Sequence, residues 1–144
     1  MRVIQTTLNG DPNVGLYGMA TDRFAIISDA KANRDEISET LGVPVIVTRL
    51  ARTDLTGIFI AGNSNAILLP DIIEPKELAT ITEGIKKISK DIAVKVIGTN
   101  NTALGNLIIA NDKAAVISTL LEEHKDEISE ALKVPVIVSD LMDL

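Results

Sequence analysis

The sequence predicts an α/β protein assembled from repeated strand–strand–helix–strand units, and three observations predict it. A thirteen-residue segment, 126–138, is a near copy of 35–47; the two differ only at Thr40/Ala131 and Gly42/Lys133. Gly15, Gly57 and Gly105 recur at comparable places, and Asp22, Ala25, Ile27 and Ser28 reappear 90 residues later as Asp112, Ala115, Ile117 and Ser118. Within each unit the apolar pattern passes from short runs to a three–four spacing and back, the signature of strand, helix and strand. Self-similarity of this length marks a repeat architecture, and one such unit has too little surface to bury its own apolar face. The units span about 1–50, 51–98 and 99–144 of a single domain, 1–144.

The first unit opens on a cluster of turn formers, Asn9, Gly10, Asp11, Pro12 and Asn13. Residues 14–20 read as a strand and 23–28 as its partner, because the polar link Thr21-Asp22 between apolar runs is a hairpin signal. The spacing of Ile37 and Leu41 predicts a helix over 34–41, and Gly42 stands where a helix stops. Residues 43–48 form the third strand, with Pro44 suited to its start or edge because it has no N–H to donate. In the second unit, 55–62 reads as a strand containing Gly57, and 66–69 returns after Asn63, Ser64 and Asn65. Pro75 takes a first helical position, and Leu78, Ile81, Ile85 and Ile88 line one helical face. Residues 92–97 are the third strand. In the third unit, 104–110 and 113–118 form the hairpin about Asn111 and Asp112. The helix is expected over 122–132, with Glu122, Glu123, Asp126 and Glu127 near its positive end, and 134–138 is the last strand. Val138, Ser139, Asp140 and Leu141 match Val47, Thr48, Arg49 and Leu50, so the chain is expected to stop where a fourth unit would begin. Open ends of a repeat array expose strand edges and apolar faces. Association through those ends follows as an expectation, with a second copy (a homo-oligomer) or another docking partner.

Composition limits the functions. Hydrophobic residues make up 46% of the chain, enough for a core, but aromatics are only Tyr17, Phe24 and Phe59. That leaves no platform on which bases stack. The formal net charge of −6 opposes binding to phosphate backbones and favours a basic protein surface as partner, so direct sequence-specific nucleic-acid binding is not expected. There is no cysteine, which removes disulfides, thiolate nucleophiles and cysteine metal sites. No apolar signal core opens the chain and no run approaches the ~18 residues of a membrane span, so a soluble cytoplasmic protein is expected.

No residue is nominated as catalytic, cofactor-binding or metal-binding. His124, the only histidine, lies in an acidic helical segment and reads as solvated surface. Asp22, Asp112, Ser28 and Ser118 recur with the repeat and read as structural turn and strand residues. No phosphate-binding glycine motif is present. Binding is a better prospect. Asn13, Gly15, Gly57, Leu104 and Asn106 all stand where the first strand of a unit begins, and equivalent positions of a repeat share a face. The other reading of the glycines is close packing between units or a bulge.

Three segments carry a resemblance. They are Asn13-Val14-Gly15-Leu16-Tyr17, the run from Gly62-Asn63-Ser64-Asn65 to Pro70, and Thr102-Ala103-Leu104-Gly105-Asn106 followed by Asn111-Asp112-Lys113. Together they resemble the archaeal translation initiation factor 6 family across nearly the whole chain. The resemblance implies a pentein-type fold (an alpha-beta propeller) of five strand-strand-helix-strand units, three of which are present here. It implies a non-enzymatic factor that binds the large ribosomal subunit and blocks joining of the small one. It also implies that Gly15 and Asn106 face the ribosome, with Ile58 beside them. Ala66 and Ala114 depart from the family's usual glycines, and the turn around Thr21, Asp22 and Arg23 is a loose version of its pattern. The enzymes that share the pentein fold use a cysteine nucleophile, which this chain lacks. A non-catalytic repeat scaffold without ribosome binding is the alternative.

Overall fold

The computed structural model describes residues 2–140, so Leu141, matched above to Leu50, lies outside them. Among the described residues there are three sheets of three strands, and all three have the same order. In the first, β1 (Gly18–Ala20) pairs antiparallel with β2 (Ala25–Ile27), which pairs parallel with β3 (Val45–Val47). The second holds β4 (Ala61–Gly62), β5 (Ala66–Pro70) and β6 (Ala93–Ile97). The third holds β7 (Ile108–Ala110), β8 (Ala115–Ile117) and β9 (Val136–Val138). The parallel partner of each hairpin is reached through a helix, as a parallel crossover requires. Pro44 and Pro135 lie just before β3 and β9, and their carbonyls accept from Ala25 and Ala115.

Helix α1 (Arg34–Leu41) has the bounds its periodicity predicts. Asn33 caps it, accepting from the Glu36 N–H, and Asp35 and Glu36 sit in its first turn. Gly42 ends it in the left-handed conformation (φ 69°), its N–H bonded to the Ser38 carbonyl. Helix α3 (Pro75–Ile88) begins with Pro75 behind a Glu74/Glu77 capping box. The Glu77 carboxylate is buried and does more than cap. It accepts from the N–H groups of Glu74, Ala51 and Arg52 at 3.0, 3.0 and 3.1 Å. It thereby holds Ala51 and Arg52 at φ 50° and 62°, a region that side chains disfavour.

The core is built between units. Helix α3 packs on its own sheet through Ile67, Leu69, Val94 and Val96, and on the first sheet through Met19, Ile26 and Ile46. Helix α5 (Lys125–Leu132) likewise packs on Ile108, Ala115, Ile117 and Val136 of its own sheet and on Ala61, Ala66 and Leu68 of the second. Lys95 of the second sheet adds an ion pair to Glu127 on α5 at 3.5 Å. Turn residues join the units at the hairpin ends. Arg23 donates to Asp91 at 2.9 and 3.0 Å and to the Ser64 carbonyl, and the Arg23 guanidinium holds the Asp91 carboxyl well below the usual carboxylate range. Asn63 donates to the carbonyls of Asn111 and Leu132, and Asp112 accepts from the Ser64 N–H at 2.8 Å. Asp112 is therefore structural, as its recurrence suggests.

Three expectations are corrected. The first strand of each unit is shorter than the apolar runs 14–20, 55–62 and 104–110 predict, because each run starts as one turn of helix. These are a 3₁₀ turn at Val14–Tyr17, α2 (Thr56–Phe59) and α4 (Leu104–Leu107). A short apolar run has no periodicity to separate strand from helix. The third helix is also split, into a 3₁₀ segment Thr119–His124 and α5. Ser118 caps the first piece, accepting from the Leu120 N–H. His124 ends it, and its ring is not solvated. It is largely buried, with Nδ1 2.5 Å from Glu127 one turn on.

Candidate functional site

The three short turns ahead of β1, β4 and β7 stand side by side at one end of the sheets and form the candidate face. Their backbones repeat closely. Asn13, Leu55 and Ala103, the residues just before them, have φ of −80°, −82° and −80° with ψ of 64°, 48° and 60°. That is the inverse γ-turn region, and in two of the three an N–H two residues on closes it: Val14 to Pro12 and Leu104 to Thr102. The carbonyls of Asn13, Leu55 and Ala103 then accept from Leu16, Ile58 and Asn106 at 3.0, 3.1 and 2.9 Å.

The glycines at the centre of these turns have a definite job. A Cβ built on Gly105 would lie 2.0 Å from the Gly57 carbonyl oxygen, and one on Gly57 would lie 2.0 Å from the Gly15 carbonyl oxygen. The turns are stacked backbone on backbone, at a distance only glycine allows. Of the two readings of these glycines, close packing between units describes Gly57 and Gly105. A Cβ on Gly15 would meet nothing within 4 Å.

The predicted binding residues separate accordingly. Asn13 and Asn106 are exposed, Gly15 is open, and Ile58 is half-buried. Gly57 lies in the stack. Leu104 is corrected: it is 0% exposed, in the core with Ala61, Leu68 and Leu107, and its side chain offers nothing to a partner. Asp11 fixes Asn13, accepting from its N–H at 2.8 Å and its amide at 2.9 Å. The N–H of Asn13 does most to hold the Asp11 carboxyl below its ordinary value, and the Tyr17 hydroxyl and the Asn13 amide also lower it against the opposing effect of desolvation. The same contact raises Tyr17, whose hydroxyl donates to Asp11.

Sequence reasoning missed Leu16 as a candidate, which is exposed and apolar like Val14 and Leu55 of the same turns. The signal was available. Leu16 is 42 residues before Ile58, and Ile58 is 48 before Asn106, the spacings of the glycines. The row Leu16, Ile58, Asn106 therefore crosses the face from apolar to polar. Such a surface, small, mixed and with few charges, is of the kind that suits contact with another macromolecule. Among the described residues no group of three or more His, Cys, Asp and Glu is placed to hold a metal ion. No helix of the described chain is long and apolar enough to cross a membrane.

Comparison with known proteins gives three kinds of match. The profile of the eIF-6 family matches residues 3–144. Curated proteins named translation initiation factor 6 are similar over nearly the whole chain. The Staphylothermus marinus protein is 36% identical, covering 100% of this chain and 64% of its own. The Thermococcus gammatolerans protein is 37% identical over 94% of this chain and 61% of its own, and the Methanocaldococcus jannaschii protein 33% over 99% and 63%. The chain thus spans about six-tenths of the length of the curated relatives it matches. Among solved structures, a dimethylarginine dimethylaminohydrolase adduct with 4-chloro-2-hydroxymethylpyridine is similar with TM-score 0.57 at 14% identity, covering 88% of this chain and 49% of its own. An agmatine deiminase of C. jejuni has TM-score 0.51 at 14% identity, over 94% and 49%. Likeness at that identity speaks for the fold alone.

Proposed function

The chain belongs to the eIF-6 family, and from that premise we propose that it is a translation factor of the cytoplasm that binds the large ribosomal subunit and blocks joining of the small one. The observation that carries the reading is the match to curated translation initiation factors 6 along nearly the entire chain. We assign the contact to the end where the short turns stack, through Asn13, Gly15, Ile58 and Asn106, with Leu16 added to the row. Gly57 supports them from within the stack. The fold in this reading is of the pentein type, with three of five units supplied by this chain. The partner surface is a basic ribosomal protein, matched to a chain of net charge −6.

The reading is non-enzymatic. The resemblance to guanidine-modifying enzymes is one of fold, and a chain without cysteine has no nucleophile for their chemistry. The test is co-sedimentation with archaeal large ribosomal subunits, comparing the wild-type chain with Asn106→Ala and Leu16→Ala. Wild type is expected to pellet with the subunit and both variants to bind several-fold more weakly. No binding by the wild-type chain would overturn the ribosomal reading and leave a non-catalytic repeat scaffold.

A further inference from the structure

The outer strands of the three sheets, β3, β6 and β9, share a place in the unit but not a length. Each pairs with one strand only, so its other edge is open among the described residues. β3 and β9 have three residues each and start directly after Pro44 and Pro135. Short edge strands and prolines are common guards against the addition of a foreign strand. β6 has five residues, with Ile92 before it in place of a proline. Ala93 donates to the Asn65 carbonyl of the chain beside it. Alternation along a parallel pair then turns the N–H and C=O groups of Val94 and Val96 outward. Among the described residues no backbone group from outside the sheet bonds to them.

A groove of about 330 Å³ runs beside this edge, apolar at one end and basic at the other. Leu78 and Ile85 of α3 and Val94 and Val96 of β6 line it, with Lys86 and Lys90 where α3 leads into β6. These lysines are the only charged residues that line it. Neither forms an ion pair among the described residues, on a chain of net charge −6. Unit two has a neighbour on either side, and neither lays a strand against β6. A repeat touches only the units next to it, so further units extend the array from its ends and do not reach this edge.

We propose that the β6 edge binds an extended acidic segment of another protein as an added strand. The segment's backbone pairs with the outward groups of Val94 and Val96, and its alternate apolar side chains enter the groove beside Leu78. Antiparallel addition, the commoner arrangement, puts its C-terminal end next to Lys86 and Lys90. The occupant is acidic there because two unpaired cations are the charge it meets. A second copy of β6 supplies no acidic residue and fits less well. The site stands independently of ribosome binding, and its test contains no ribosome.

The probe is a fluorescein-labelled peptide, Gly-Ser-Val-Thr-Val-Thr-Asp-Glu with a C-terminal amide, whose charge is confined to its side chains. By fluorescence anisotropy the wild-type chain is expected to bind it, more weakly as salt is added. Reversing both charges, Lys86→Glu with Lys90→Glu, is expected to weaken binding about fivefold or more. Val94→Pro removes an outward N–H and spares the ladder to β5, and is expected to cost a similar factor. A measurement without variants accompanies these: amide hydrogen exchange at Val94 and Val96 is expected to slow when the peptide is added. A peptide that does not bind, that leaves exchange at Val94 and Val96 unchanged, or that binds the double lysine variant as tightly as wild type would overturn the proposal. Exchange at these two amides that slows as the chain alone is concentrated would give the edge to a second copy and overturn it as well.

Discussion

Helices α1 and α5 and their following strands are the same thirteen residues but for two, and they live in different surroundings. Ile128 and Leu132 are sealed between two sheets. Ile37 is buried beside a groove lined by Ile27, Ile4 and Leu8, and Leu41 is left partly in water. The lead-in turns repeat the contrast: Leu104 and Thr56 are buried while their counterpart Val14 is exposed. Local sequence makes the helix in both places. What separates them is whether another unit stands in front, and that is where the free energy of burial resides.

The largest expected effect tests that contrast directly. Leu132→Ala removes a fully buried side chain and is expected to cost about 2–5 kcal/mol by chemical denaturation, against less than about 1 kcal/mol for Leu41→Ala in dilute solution. Equal costs would mean that α1 is covered in solution as α5 is. The glycine stack gives the next pair. Gly105→Ala forces a Cβ against a carbonyl oxygen and is expected to lose about 1–3 kcal/mol, while Gly15→Ala, with open space before it, stays within about 0.5 kcal/mol.

A smaller effect comes from the second difference between the copies. Gly42 and Lys133 end their helices with φ of 69° and 56°. The lysine bears a left-handed cost that glycine avoids, so Lys133→Gly is expected to stabilise by up to about 1 kcal/mol and Gly42→Lys to destabilise by a similar amount. Melting curves of the two swaps check it, and a gain from both would break the equivalence of the two caps.

The smallest effect is confined to unit one. Asp11 is depressed in the folded state, first by the Asn13 N–H. A depressed carboxyl contributes stability above its unfolded value of about 3.9, and the contribution disappears as pH falls through the lower folded value. Asp11→Asn is therefore expected to lower Tm slightly at pH 7 and to match wild type near pH 2. A gap that persists in acid would show that Asp11 acts through packing and not through charge. The equivalent tie in unit two, the Thr53 hydroxyl accepting from the Leu55 N–H, has no carboxylate and is expected to show no such pH dependence.

Much of the fold was legible in these residues. The match of 35–47 with 126–138 revealed the repeat, and the i, i+4 pair Ile37 and Leu41 located α1 to the residue. Pro75 and Gly42 marked helix ends correctly because proline and glycine act locally. The lead-in turns were misread, since runs such as 55–62 satisfy a strand as well as a turn of helix and their conformation is set by stacking on the unit before. On the candidate face, Asn13 and Asn106 are exposed, as their position at the start of a unit suggests. Leu104 was misplaced because one position of a repeat is exposed or buried according to its neighbours.

By itself, then, the sequence determined the kind of unit, its number of copies in this chain, where its helices cap and stop, and which chemistries are absent for want of a cysteine. These follow from propensities and residue types that operate within a few residues. Only the tertiary structure decided that Gly57 and Gly105 are contact points while Gly15 is a vacant one, that Leu132 is core and Leu41 is surface, and that Ile109 and Ile137 face outward. Those properties belong to pairs of units tens of residues apart, and packing between units is a relation that no single copy of the repeat encodes.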